Sequence, residues 1–78
     1  MQAGPTFFET NLLPYSYLQN LYNTILQLKS LGIEQGRYLT LEELLQAALL
    51  IYPPCRSLSQ QQILFLLIAC FPQLEAIM

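Results

Sequence analysis

Residues 63–71 read Ile-Leu-Phe-Leu-Leu-Ile-Ala-Cys-Phe, which is nine apolar residues with no polar position among them. A helix through this run has no side suited to water, because a helix that is apolar all round is normally buried. We therefore expect other elements to cover this run and the fold to be arranged about it. The run is about half of the roughly 20 apolar residues that a transmembrane helix needs, so it predicts no membrane span.

The composition indicates a folded protein. Hydrophobic residues make up 54% of the chain and charged residues 10%, whereas soluble domains carry about 25% charged residues and disordered chains are poor in apolar ones. With 78 residues we expect an N-terminal tail over 1–10 and a single helical domain over 11–78. The start shows no basic region followed by an apolar one, so no signal peptide is expected and the predicted location is cytoplasmic.

The first half of the chain predicts two helices. Apolar residues recur at helical spacing from Tyr15 to Leu28 with amide and hydroxyl residues between them, which predicts a helix over about 12–31 that ends at Gly32. The pair Thr40 and Glu43 is typical of a capping box. It begins a second helix over 41–52, which the following Pro-Pro sequence ends.

The second half predicts one long and one short helix. Ser57 can form a capping box with the glutamine three residues later, and Ser59 is an alternative cap. The predicted third helix covers 58–71, and a short fourth helix covers 73–77. The sequence thus predicts an all-α fold, a small three- to four-helix bundle with a fully apolar central third helix.

The predicted bundle has more apolar surface than one chain can cover. On a helical wheel Leu50 lies between Glu43 and Gln46, on the polar side of the second helix. The third helix also needs cover on every side. Both features predict a homodimer, whose interface we expect to contain Leu49, Leu50, Leu64, Phe65, Ile68 and Phe71.

The residue types argue against catalysis. The chain has no His, no Asp and no Trp, which removes Ser-His-Asp and Cys-His arrangements and metal sites built on His. The adjacent Glu42 and Glu43 suit the start of a helix and point about 100° apart, so they do not form an acid–base pair. We expect no enzyme activity, no cofactor and no bound metal ion.

The function predicted from these features is a non-catalytic protein–protein interaction, as an adaptor or regulatory protein that acts through an apolar helical surface. Its expected partners are a second copy of the chain and another protein. The alternative is a structural subunit or small assembly chaperone of a larger complex. A remote alternative is a helix-turn-helix regulator that reads DNA with the polar residues of 57–62, but three scattered basic residues make nucleic acid an unexpected partner.

Two short patterns have more than one interpretation. Residues 41–45 match the LxxLL pattern of docking helices, although these leucines are expected to be core residues. The neighbouring Phe7 and Phe8 either cover the core or form a docking motif, and the sequence does not decide between the two.

Overall fold

The computed structural model describes residues 13–54 and 57–77, and within these ranges the regular structure is helical, with no strand. The helices are α1 (Tyr15–Glu34), α2 (Leu41–Ile51), α3 (Gln60–Cys70) and α4 (Gln73–Ile77). The predicted all-α bundle is confirmed. The predicted tail, with Phe7 and Phe8, lies outside the described residues.

The end of α1 differs from the prediction. The helix continues through Gly32, and the residue with the left-handed conformation is Gly36, at φ 75°. The N–H of Arg37 donates to the Gly32 carbonyl oxygen at 2.7 Å, and the N–H of Gly36 donates to that of Ile33 at 3.0 Å. These two bonds form a Schellman motif, which satisfies the last carbonyls of the helix. The prediction that Gly32 ends α1 is therefore wrong by one turn.

Gly32 has a different structural role. A Cβ atom at this position would lie 2.9 Å from the carbonyl oxygen of Arg37, closer than carbon and oxygen atoms pack without a shift. The chain folds back tightly over Gly32, and this close approach requires a residue without a side chain.

Capping boxes begin α2 and α3. At α2, the Thr40 hydroxyl accepts from the N–H of Glu43 at 3.2 Å, and the Glu43 carboxylate accepts from the N–H of Thr40 at 2.8 Å. This box is confirmed. At α3 the cap is Ser59, which exchanges the equivalent bonds with Gln62 at 3.2 and 3.0 Å. The first choice, Ser57, is wrong and the alternative is right, so α3 begins two residues later than predicted.

One hydrogen bond pairs α1 with α2. The Tyr17 hydroxyl donates to the backbone oxygen of Tyr52 at 2.6 Å, which places the start of α1 beside the end of α2. The two helices therefore form an antiparallel hairpin.

Two further contacts orient α3. The Gln60 side-chain amide donates to the backbone oxygen of Glu42 at 3.3 Å, so α3 begins beside the start of α2. At its other end, the Phe71 ring stacks on Tyr22 in the first half of α1, with centroids 4.4 Å apart and planes 4° from parallel. Helix α3 thus runs antiparallel to α1 and in the same sense as α2.

The core lies where α1, α2 and α3 meet. Helix α3 contacts each of the other three helices, which confirms its predicted central position. Leu44 and Leu45 of the LxxLL pattern are fully buried, in agreement with the core interpretation. The buried apolar side chains are Leu13, Leu18, Leu21, Ile25, Leu44, Leu45, Ala48, Ile63, Leu64, Leu66, Leu67, Phe71 and Leu74.

Candidate interaction surface

The described residues offer little polar chemistry. Within 13–54 and 57–77, no group of three or more His, Cys, Asp or Glu side chains is placed to hold a metal ion. The Glu43 carboxylate already accepts a hydrogen bond from the N–H of Thr40. The features of the described surface that could bind a partner are therefore mainly apolar.

The outward side of α2 carries Leu50, with 81% of its surface exposed. The buried residues of this helix, such as Leu45 and Ala48, lie on its opposite side, because successive side chains are about 100° apart. Ile51 and Tyr52, which follow Leu50, are 55% and 41% exposed. The expectation that Leu50 faces out of the bundle agrees with this geometry.

The outward side of α3 carries Phe65, which is 68% exposed. It lies opposite the fully buried Ile63 and Leu67, and its neighbours on that side, Gln61 and Ala69, are exposed as well. Complete burial of a Phe side chain is worth about 1.5–3 kcal/mol. Most of this gain is not realised within one chain, so the covering of α3 is incomplete.

Two of the predicted interface residues are core residues of the single chain. Leu64 is 8% exposed and Phe71 is 6% exposed. The Phe71 ring lies against Tyr22 and also has its centroid 5.6 Å from that of Tyr15. Most of the surface of both side chains is therefore already covered.

The remaining predicted residues divide into two pairs. Leu49 and Ile68 are half-buried and pack against the core, whereas Leu50 and Phe65 are exposed. Leu50 and Phe65 are thus the predicted interface residues that are accessible to a partner, and we refer to them as the anchors. Leu49 and Ile68 lie beside the core. Participation of these residues in an interface stays a prediction.

Further exposed apolar side chains occur near the end of α1 and in the connection that follows it, and sequence reasoning did not identify them. Tyr38 is 81% exposed and Leu31 is 53% exposed; Ile33 is also exposed. The sequence did contain one signal of this exposure, the aromatic Tyr38 next to glycine and arginine in a short connection. It fits the helical pattern of neither α1 nor α2.

The polar residues at the start of α3 are largely occupied within the chain. Ser59 and Gln62 form the capping box, and Gln60 bonds to the backbone of Glu42. Of the basic residues that the structure describes, Lys29 lies on α1 and Arg37 in the connection to α2, so neither belongs to α3. These positions give no support to the helix-turn-helix alternative.

None of the helices in the described ranges is both long and apolar enough to cross a lipid bilayer. No protein-family model matches the chain, and neither a curated protein nor a solved structure matches it at a significant level.

Proposed function

We propose that this protein is a non-catalytic interaction module, an adaptor or regulator, that binds through apolar helical surface and associates with a second copy of itself. The observation that supports this proposal is the exposure of Leu50 and Phe65. They stand on the outward sides of two helices whose inward sides are already packed.

The energetics set the size of the contact. Burying the two anchors would contribute about 1.5–3 kcal/mol each, whereas a dissociation constant of about 1 μM corresponds to roughly 8 kcal/mol. A stable interface also buries about 800 Å² on each partner. The dimer contact must therefore extend beyond Leu50 and Phe65, and the exposed Ile51 and Tyr52 are the apolar residues that follow Leu50 at the end of α2.

The charge distribution of α3 is compatible with self-association. Its outward side carries Gln61, Gln62, Phe65 and Ala69 and no ionised group. Two copies of this side can meet without opposing like charges, and amide groups cost less to desolvate than charged groups do.

The test is sedimentation velocity over a range of micromolar concentrations. We expect the natural chain to be a dimer and the double variant Leu50→Gln with Phe65→Gln to dissociate at least about tenfold more readily, because about 1.4 kcal/mol corresponds to that factor. Tyr38→Gln is the matched control, since Tyr38 is as exposed as Leu50 but lies on neither helix. A natural chain that stays monomeric at every concentration contradicts the homodimer.

A second candidate function is that of a structural subunit or small assembly chaperone in a larger complex. It is favoured by two further exposed apolar side chains, Leu31 near the end of α1 and Tyr38 in the connection to α2, which are separate from Leu50 and Phe65 along the chain. A subunit of this kind needs several neighbours to cover it. Purification of the chain alone distinguishes the two functions, because a regulator stays folded and soluble whereas a subunit without its complex aggregates.

A further inference from the structure

We draw no further inference here: the strongest candidate, the shallow apolar groove between the end of α1 and α2 that is lined by Leu28, Leu39 and Ala47, carries none because nothing in the structure shows what covers it.

Discussion

Helices α1 and α3 both bury apolar side chains on their inward sides and differ on their outward ones. Both bury leucine and isoleucine residues completely. Over residues 19–27 the outward side of α1 carries amide residues, Gln19, Asn20, Asn23 and Gln27, whereas that of α3 carries Phe65 and Ala69 beyond Gln61 in its first turn. The polar residues of α1 specify which side faces water, because amides hydrogen-bond to solvent and aliphatic side chains do not.

Beyond its first turn, α3 has no polar residues that specify which of its sides faces water. Its orientation depends on contacts with other elements, such as the Gln60 bond to Glu42 and the Phe71 stack on Tyr22. A helix that is apolar all round can bury any side, and the side left over becomes exposed apolar surface. Phe65 is therefore exposed because the contacts of α3 with the other helices bury its opposite side, rather than because of a local preference.

The largest expected effect tests whether the inward sides are equivalent. Leu67→Ala in α3 and Leu21→Ala in α1 both remove a fully buried side chain. Each should lower the free energy of unfolding by about 2–5 kcal/mol, because the lost burial is compounded by a cavity. Urea unfolding at one fixed protein concentration measures both. If Leu67→Ala alone lowered the free energy of unfolding by less than about 1 kcal/mol, α3 would not pack on the core through the side that carries Leu67.

An intermediate effect tests where α3 begins. Ser59→Ala should lower the free energy of unfolding by about 1 kcal/mol, since it removes the side-chain half of the capping box. The matched variant Ser57→Ala should change it little, because Ser57 precedes the helix and is exposed. Chemical denaturation distinguishes the two, and a reversed order would move the start of α3 back to the predicted residue 58.

The smallest expected effect concerns the outward side of α3. Phe65→Gln should change the unfolding free energy of the monomer by no more than about 0.5 kcal/mol, as exposed substitutions usually do. The adjacent Leu66→Gln should cost several-fold more, because it buries an amide in the core. Both are measured by denaturation at a concentration low enough to exclude association. A large loss for Phe65→Gln would mean that α3 is covered within one chain after all.

Local chemistry made much of the fold predictable. The helical spacing of α1, the capping box of α2 and the outward position of Leu50 all depend on residues within two turns of one another. The errors occurred where two local solutions were equivalent. Ser57 and Ser59 each precede a glutamine by three residues, and Gly32 and Gly36 can each adopt a left-handed conformation.

The candidate surface was less predictable than the helices. Phe71 is the last residue of the apolar run, and its burial depends on Tyr15 and Tyr22, which lie about fifty residues earlier in the chain. This contact has no signature in local spacing.

The amino-acid sequence by itself determined that this protein is helical and where its helices lie to within a turn. It also determined that some apolar residues have no buried side assigned to them by the pattern of polar residues. Only the tertiary structure decided which side of α3 is buried, which glycine ends α1, and that Leu50 and Phe65 stay exposed while Leu64 and Phe71 do not. The physical reason is that hydrogen-bonded turns and caps are local, whereas hydrophobic burial has no direction of its own and is settled by whichever elements pack together.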